Sequence, residues 1–489
     1  MKKQRARRVM ADFAKLKKIA RRYYRQEKWE LALRTVFFAC GFMYTMNQIQ
    51  CDEELEELVE NIASRILPRS SWQPEEESVI VYFDSFGSVR RGLTGIYLKA
   101  LVHMGYRVKY ISFQEKRRIE PDISALVGRD NVFWISGQDY AAQMVCLEEI
   151  LAKSGAGTVF LCLKPDDVVA VGVFSRCPPK RKRYMINLTD HAFWLGRNLC
   201  DIVINFREFG SQICLTQRNL PASQTVCLPY YPDRTEDTGR QLPLCANRNK
   251  LIFSGGALYK TQSRDNIYYK LLASILDNCS DVNFVYLGDG DGRKIKKLAQ
   301  KYPERVFFFS ERQDFFEIMK QCTLYLSTYP YNGGLMTQYA LLAGKIPITL
   351  NHPGIEAELS IRHAETFWNY SSYEECLEEI KRLLTDDLYR RKQEERLDRF
   401  LIEQTQFEKE LLHILKHGCS LRKTEDKKVR FSGFLELPLE NITDFKYCRL
   451  FFRKKGFYMI RFFPVKYLLG TLGAVKERLD NSVRKQNKR

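Results

Sequence analysis

Short apolar runs alternate with helical stretches twice along this chain, once on each side of a turn-rich connector. From Ser78 the sequence reads SVIVYFDS, LTGIYLKALVHMGY and RVKYIS, and the same rhythm resumes at residue 250 with KLIFSGG. Strand-like runs that alternate with helices are typical of a parallel, doubly wound sheet. The chain is therefore predicted to be an α/β protein in which two Rossmann-like domains face each other across a cleft.

The length of 489 residues also favours more than one core, because single domains cluster near ~100 to 200 residues. We predict a helical N-terminal segment, a first Rossmann-like domain, a second Rossmann-like domain, and a helical, basic tail. The boundaries expected for these four parts are 1–70, 77–232, 248–400 and 401–489.

The N-terminal segment has apolar residues at helical spacing from residue 11 to residue 67. Its first two helices resemble a tetratricopeptide-like hairpin, although one copy does not make a repeat array. The alternative is a pair of helices that simply packs on the domain that follows.

The net charge of +19 is concentrated at the two ends of the chain. Residues 1–25 carry +10, residues 446–489 carry +11, and the body between them carries −2. Basic and aromatic residues are mixed in the tail, which is typical of a segment attracted to anionic lipids. The alternative is a tail that packs against the body with a solvated basic face. Nucleic-acid binding is a weaker hypothesis, because no compact reader motif is present.

Fourteen cysteines are scattered without a CxxC pair or a Cys/His cluster at zinc spacing. This usage favours reduced thiols and predicts no structural metal. The basic N-terminus lacks the apolar stretch of a signal peptide, and no run has the roughly 18 apolar residues of a spanning helix. We therefore expect a cytoplasmic protein that is at most peripheral to the inner face of the membrane.

The stretch PYNGGLMTQYALLAG, residues 330–344, places two glycines directly before a predicted helix. Asn332, Gly333 and Gly334 would let the backbone approach a ligand, and the first turn of the helix offers unpaired N–H groups. Such a site suits an anion, most simply a diphosphate, and Thr337 could add a hydroxyl donor. The alternative is a tight turn with glycines for steric reasons alone.

Two further glycine-rich loops follow predicted strands of the same domain. KLIFSGGALYKT contains Gly255 and Gly256, and Lys260 lies where an ammonium could neutralise the phosphates of a departing nucleoside diphosphate. YLGDGDG contributes Gly288 and Asp289. We expect the three loops to converge on one edge of the sheet and to bind the molecule that carries this nucleoside diphosphate.

These loops resemble the donor-binding domain of GT-B glycosyltransferases of the family 1 and 4 type. The similarity covers a strand with G-G…K, the LGDGDG loop and LLAGKIPIT, and NGGLMT resembles the phosphate loop of the O-GlcNAc transferase branch. The resemblance implies a metal-independent enzyme without cofactor. It would move a sugar from a nucleotide sugar to a glycan, lipid-linked or protein acceptor in cell-surface polysaccharide or glycoconjugate synthesis.

The chain departs from that family's pattern at three positions. Tyr331, which we place in the donor site, and Tyr339 stand where many retaining members have glutamates, and Gly256 replaces a common arginine. These departures leave open a GT-B-shaped scaffold that has lost catalysis. Asp289 and Asp291 form an Asp-x-Asp pattern, but a GT-B enzyme can use helix dipoles and a cation in place of a metal.

The acceptor side is predicted around INLTDHAFWLGRN. Thr189 or Asp190 could cap a helix start, and His191 is our candidate general base with Asp190 beside it in the catalytic group. The alternative is a capping pair with a hydrogen-bonded histidine. Three residues of the loop after the first strand, Arg90, Arg91 and Gly92, are expected to line the acceptor side or else to form a solvated turn.

Overall fold

The computed structural model describes residues 2–68, 76–87, 93–177, 182–233, 250–312, 314–355, 368–421, 429, 431–452 and 457–473. It contains two separate parallel sheets, each with helices on both faces. The predicted α/β architecture of two facing, doubly wound domains is thereby confirmed, as is the helical N-terminal segment.

The first sheet has seven strands in the order β3-β2-β1-β4-β5-β6-β7, all parallel. Successive side chains of β1 point to opposite faces, so that Val81 and Phe83 join one core while Ile80 and Tyr82 join another. The strands are β1 Glu76–Asp84, β2 Arg107–Phe113, β3 Val132–Ile135, β4 Ala156–Cys162, β5 Lys182–Ile186, β6 Ile202–Asn205 and β7 Thr225–Cys227.

Eight helices accompany this sheet in the described part of the chain. They are α1 Lys2–Arg25, α2 Trp29–Met46, α3 Glu53–Ile66, α4 Thr94–His103, α5 Glu120–Val127, α6 Tyr140–Ala152, α7 Val168–Phe174 and α8 Glu208–Gln217. The first three pack on the sheet and share its larger core. The pattern placed the first helix from residue 11, whereas α1 begins at Lys2 because Val9 is already buried against its neighbours.

The second sheet has six parallel strands in the order β10-β9-β8-β11-β12-β13. The strands are β8 Lys250–Gly255, β9 Val282–Leu287, β10 Val306–Phe309, β11 Leu324–Leu326, β12 Ile346–Leu350 and β13 Asn369–Tyr370. The helices that follow or flank them are α9 Ile267–Asn278, α10 Arg293–Lys301, α11 Phe315–Lys320, α12 Gly334–Leu342, α13 Tyr373–Thr385 and α14 Asp387–Glu394.

The C-terminal part of the chain returns to the first domain. Its helices are α15 Gln404–His417, α16 Ser432–Asn441 and α17 Asp444–Phe452, followed by a helical segment at 464–473. α15 packs on α4, where the rings of Phe407 and Tyr97 lie 5.2 Å apart. α16 lies between the domains, since Phe434 shares a cluster with Phe209 of the first domain and Ile355 of the second.

The tail that follows α16 lies against the N-terminal helices. Phe451, Phe463 and Tyr467 are buried in the same core as α1 and α2. The Asp12 carboxylate of α1 accepts hydrogen bonds from the Tyr447 hydroxyl and from Lys466. Of the two interpretations of the tail, packing against the body is what the structure shows for these residues. Attachment to a membrane remains a prediction.

None of the helices in the described residues combines the length and the apolar character needed to cross a bilayer. No disulfide links any two of the thirteen described cysteines, and most of them are buried.

Candidate functional site

A cavity of about 270 Å³ lies between the two sheets, where loops from the carboxyl ends of their strands meet. Ligands of open parallel sheets bind at this edge. The first domain contributes the segments after β5 and β6, and the second contributes the segments after β8 and β11. The side chains and backbone that line it are Tyr44, Leu93, Leu188, Thr189, Asp190, His191, Phe206, Arg207, Tyr230, Tyr259, Lys260, Tyr331, Asn332, Gly333, Gly334, Leu335, Met336, Ile355 and Phe434.

A buried ion pair forms the floor of the first-domain side. The Asp190 carboxylate is fully buried and accepts hydrogen bonds from Arg207 Nε at 2.6 Å and from a terminal nitrogen of Arg207 at 2.8 Å. Burial alone would raise the pKa of the Asp190 carboxyl, but the guanidinium outweighs burial and holds this pKa well below its usual value. Asp190 therefore carries a fixed negative charge.

The segment that carries Asp190 is a turn and does not begin a helix, so the predicted helix start is wrong. The Asp190 side chain is taken up by Arg207 and is not used for capping. The buried Arg218 guanidinium donates to the carbonyl oxygens of Asp190 and Ala192 at 3.1 and 2.7 Å. It also stacks 4.6 Å from the Trp194 ring. These tertiary contacts draw residues 192–195 into the core in an irregular path.

His191 lies at the edge of the cavity with its ring about one third exposed. Its Nδ1 is 3.3 Å from the Asp190 carboxylate, and its backbone carbonyl accepts a hydrogen bond from Asn47. Aromatic rings of Phe434 and Tyr331 lie 5.2 and 6.3 Å from the imidazole. When Nδ1 donates to Asp190, the Nε2 atom is left as a hydrogen-bond acceptor.

Lys260 reaches the cavity from the second domain. It lies in a short 3-10 helix, Leu258–Thr261, directly after β8. Burial, and then the positive charge of Arg207, lower the pKa of Lys260 to about 8. Among the residues that the structure describes, no carboxylate pairs with its ammonium. Two cations, Lys260 and Arg207, therefore influence each other across the cleft, where an anion would stabilise both.

The glycine stretch forms the start of α12 and lines the cavity. Gly333 precedes the helix with φ −110°, and Gly334 is its first residue. Thr337 N–H makes the first intrahelical bond, to the Gly333 carbonyl. The N–H groups of Gly334, Leu335 and Met336 have no hydrogen-bond partner within the described chain. They present the positive end of the helix to the cavity.

Tyr331 connects the two sides of the site. Its N–H donates to the Lys260 carbonyl at 3.4 Å, which fixes the loop after β11 against the loop after β8. Its ring lies 5.9 Å from Phe434 and 6.3 Å from His191 of the first domain. The tyrosine at this position therefore takes part in an aromatic contact across the cleft.

Thr337 and Tyr339 do not line the cavity. The Thr337 hydroxyl is completely buried and donates to the Gly333 carbonyl at 3.2 Å, inside the helix. It is therefore not available as the diphosphate donor that we expected. Tyr339 is buried against the rings of Phe315 and Phe316.

The other predicted donor residues lie next to the cavity rather than in its lining. A Cβ on Gly288 would be 1.9 Å from the Gly256 carbonyl oxygen, so this glycine permits a close approach between two loops. Gly256 has φ +124°, and its N–H bonds to the Leu287 carbonyl. The cavity lining also omits Gly255 and Asp289.

The Asp-x-Asp pattern is also separate from the cavity. Asp291 pairs with the neighbouring Arg293 on the surface, and this hydrogen bond lowers the pKa of the Asp291 carboxyl. Within the described residues, no group of three or more His, Cys, Asp or Glu side chains is arranged to hold a metal ion.

The cavity residues that the sequence analysis missed include Arg207, Tyr44, Tyr259 and Phe434. Arg207 lies two residues after the end of β6, so a search for charged residues near strand ends could have found it. Tyr44 and Phe434 come from helices outside the two sheets, and no local pattern marks them. The predicted acceptor residues Arg90, Arg91 and Gly92 lie outside the described residues.

Two facing parallel sheets with a cleft at the carboxyl ends of their strands define a GT-B fold. Among solved structures, a glycosyltransferase from Rickettsia africae is 13% identical over 70% of this chain and 98% of that chain, with a TM-score of 0.50. A putative UDP-N-acetylglucosamine 2-epimerase from Listeria monocytogenes is 11% identical over 70% and 97%, also with a TM-score of 0.50. These likenesses establish the fold.

A third similar structure is a mutant of the O-GlcNAc transferase of Thermobaculum terrenum. It is 15% identical, the match covers 78% of this chain and 76% of that chain, and the TM-score is 0.48. No model of a protein family and no curated protein sequence matches the chain.

Proposed function

We propose that this protein is a glycosyltransferase that moves a sugar from a nucleoside diphosphate sugar to an acceptor hydroxyl. The observation that carries the proposal is the arrangement of Lys260 and the open N-terminus of α12 on one side of the cleft, opposite His191 on the other. One side suits a diphosphate, and the other suits a hydroxyl that must lose a proton.

On the donor side, the unpaired N–H groups at the start of α12 would bind the diphosphate, and Lys260 would lie against it. As the bond between the anomeric carbon and the diphosphate oxygen breaks, negative charge grows on the leaving group. A helix N-terminus and an ammonium both stabilise that charge, and neither requires a metal or a cofactor. We therefore propose a metal-independent reaction, with the nucleotide sugar as substrate.

On the acceptor side, His191 would act as the general base. Its Nδ1–H is directed at Asp190, which leaves Nε2 to take the proton as the acceptor oxygen bonds to the anomeric carbon. Asp190 would be a positioning residue, because its carboxylate is saturated by Arg207 and is too deeply buried to reach a substrate.

The acceptors that fit this chemistry are hydroxyl groups of a glycan, a lipid-linked sugar or a protein. We propose a role in cell-surface polysaccharide or glycoconjugate assembly at the cytoplasmic face of the membrane. The resemblance of NGGLMT to the O-GlcNAc transferase phosphate loop supports the donor assignment, as does the place of this stretch in the cavity.

The deciding experiment is a donor screen with the full chain. Each common nucleotide sugar is incubated with the protein, and release of nucleoside diphosphate is measured with and without candidate acceptors. We expect release with one class of donor, and calorimetry should show binding of the matching nucleoside diphosphate. An absence of binding to uridine and guanosine diphosphates alike would contradict the proposal.

A catalytically inactive scaffold is the second candidate, favoured by the aromatic contact at Tyr331 where many relatives of the fold have a glutamate. The same screen separates the two candidates, since a scaffold would bind nucleotide without turnover. Conversion of the donor to its epimer without an acceptor would instead indicate the chemistry named for the Listeria structure.

A further inference from the structure

Exposed apolar side chains are unusually concentrated near the C-terminal end of the described chain. Six of the large hydrophobic residues that are most exposed to solvent lie between residues 445 and 472: Phe445, Ile460, Val465, Leu468, Leu469 and Leu472. Elsewhere such residues occur singly or far apart in sequence, as Leu388 does on α14. A contiguous apolar surface of this kind marks an interaction site.

The helical segment at 464–473 provides most of this surface. Val465, Leu468, Leu469 and Leu472 follow the i, i+3, i+4, i+7 spacing of one helix face, and they are 66%, 58%, 38% and 61% exposed. The opposite face is fixed to the protein. Tyr467 is buried in the first core, and a Cβ on Gly470 would lie 2.6 Å from the Cys448 carbonyl oxygen of α17.

α17 extends the apolar surface. Gly473, at the end of the helical segment, lies beside the Phe445 ring, so that a Cβ there would be 3.4 Å from a ring carbon. Phe445 is itself 52% exposed. The apolar face therefore runs across α17 and the helical segment at 464–473, which approach each other closely at Gly470 and Gly473.

The α1 helix and its cations lie beside the start of this helical segment. Lys15 donates to the Phe462 carbonyl at 2.6 Å and lies 4.7 Å from the Phe463 ring, which places α1 directly beside the tail. Lys18 and Arg22 follow Lys15 at intervals of three and four residues on the same face of α1, and both are exposed. The fold thus brings the two basic ends of the sequence together.

We propose that this surface, formed by the apolar face of 464–473, Phe445 and the neighbouring cations of α1, docks the protein on a bilayer that contains anionic lipids. The leucines would enter the boundary between headgroups and acyl chains, and the cations would contact lipid phosphates. Residues 445–473 contain no Asp or Glu, so nothing in this stretch repels an anionic surface. The inference does not depend on the proposed sugar transfer.

The test uses the full chain, because removal of the tail would strip Phe451, Phe463 and Tyr467 from the first core. Co-sedimentation is measured with vesicles of phosphatidylcholine alone and of phosphatidylcholine with phosphatidylglycerol. The wild type should bind the anionic vesicles preferentially, and less tightly as salt is raised. Leu468→Ser with Leu472→Ser should lower the partition coefficient by at least about tenfold, because apolar area enters the interface.

Leu388→Ser is the matched control, since this leucine is 67% exposed and lies on the second domain. It should leave vesicle binding unchanged. A second variant on another element, Lys18→Glu with Arg22→Glu, should lower binding to anionic vesicles by about tenfold at low salt. Melting temperatures close to that of the wild type would show that every variant is folded.

Several results would overturn the inference. These are equal binding to neutral and anionic vesicles, an equal loss in Leu388→Ser, or unchanged vesicle binding in both double variants. A change from dimer to monomer in the leucine variant, without a change in vesicle binding, would assign the face to a second copy of this chain. A gel shift with nucleic acid and no vesicle binding would assign the charges to nucleic acid.

Discussion

The two sides of the cleft differ in whether their charged groups are paired. On the first-domain side, Asp190 and Arg207 neutralise each other in a buried, doubly hydrogen-bonded pair. On the second-domain side, Lys260 has no partner among the described residues, and the first N–H groups of α12 are likewise open. The first side is complete without a ligand, whereas the second side lacks an anion. We therefore expect substitutions on the first side to change stability and geometry, and substitutions on the second side to change ligand binding.

The largest effect should come from Arg207→Ala, which leaves the buried Asp190 charge without its guanidinium partner and with only the longer contact to His191. We expect a loss of about 3 to 5 kcal/mol in the free energy of unfolding, measured by urea denaturation. Arg293→Ala is the control, because its pair with Asp291 is exposed and should contribute less than about 1 kcal/mol. Similar losses in both variants would contradict the comparison.

Because of the same ion pair, we expect the free energy of unfolding to decrease in acid. Because the pKa of the Asp190 carboxyl is lowered on folding, its contribution to stability is full above the usual aspartate pKa and is lost as the pH falls below it. Urea midpoints of the wild type should therefore fall in acid, and those of Arg207→Ala should fall less in the same interval.

His191→Ala should slow transfer by about 10²- to 10⁴-fold, the usual range for loss of a general base. Nucleoside diphosphate affinity should stay within about twofold, because His191 lies on the acceptor side. Steady-state turnover and calorimetry on one preparation test both points. His413→Ala, on α15 outside the cavity lining, is the control. A parallel loss of nucleotide affinity in His191→Ala would place the histidine on the donor side.

Lys260→Ala should reduce turnover by about 10²- to 10³-fold, and by more than it reduces nucleotide affinity, because the cation matters most as charge develops. The pKa of Lys260 is about 8, so wild-type turnover should fall as the pH rises through that value. Lys260→Arg keeps the charge and should remove this alkaline fall. Its persistence would show that another group titrates.

The contribution of Lys260 to the free energy of unfolding should change with pH in the direction opposite to turnover. Its pKa is lower in the folded protein than in the unfolded chain, so the unfolded chain binds more protons between about pH 8 and the usual lysine value. Stability from this group therefore rises with pH across the interval in which turnover falls. Urea midpoints of the wild type and of Lys260→Ala, compared across this range, would reveal the difference.

Gly333→Val tests the α12 site with a smaller effect. A Cβ at Gly333 has room, with Tyr325 and Met336 at ordinary contact distances, and φ is −110°, so the fold should tolerate the change. The branched side chain would reduce access to the helix N-terminus and lower nucleoside diphosphate affinity by about tenfold or more. Calorimetry measures the affinity, and wild-type affinity in this variant would assign the glycines to turn geometry alone.

The smallest effect should come from Thr337→Val. The Thr337 hydroxyl bonds inside the helix to the Gly333 carbonyl, so its loss should change nucleotide affinity by less than about twofold. A large loss in the same calorimetric titration would show that the hydroxyl turns toward the ligand when the nucleotide binds.

Local patterns were sufficient for much of the fold. Strands such as β8 and β11 were predictable because apolar runs bounded by glycine depend on neighbouring residues alone. The α12 loop was located for the same reason. The predicted helix start at Thr189 was wrong because the side chain that looks like a cap, Asp190, is engaged by Arg207, which lies between β6 and α8. Capping residues favour the start of a helix, but a buried charge pair can override this local preference.

Glycine-rich loops show a second limit of the sequence. The Gly-Gly pairs that begin at Gly255 and at Gly333 look alike in the sequence, but of these two pairs only the second lines the cavity. Gly288 allows a close contact between two backbone segments, and the same glycine-rich sequence would also suit a phosphate-binding loop. Phe434 was out of reach, because the helix α16 enters the cleft from a part of the chain beyond both sheets.

The burial of the tail in the first core also has a consequence for synthesis on the ribosome. α1 and α2 emerge from the ribosome well before the rings of Phe451, Phe463 and Tyr467 that cover them. The first domain can form its sheet before these residues are made, so part of its surface stays open until they have been released. Nascent chains that stop short of residue 451 would carry that apolar surface uncovered, and such surfaces are where chaperones bind and aggregates begin.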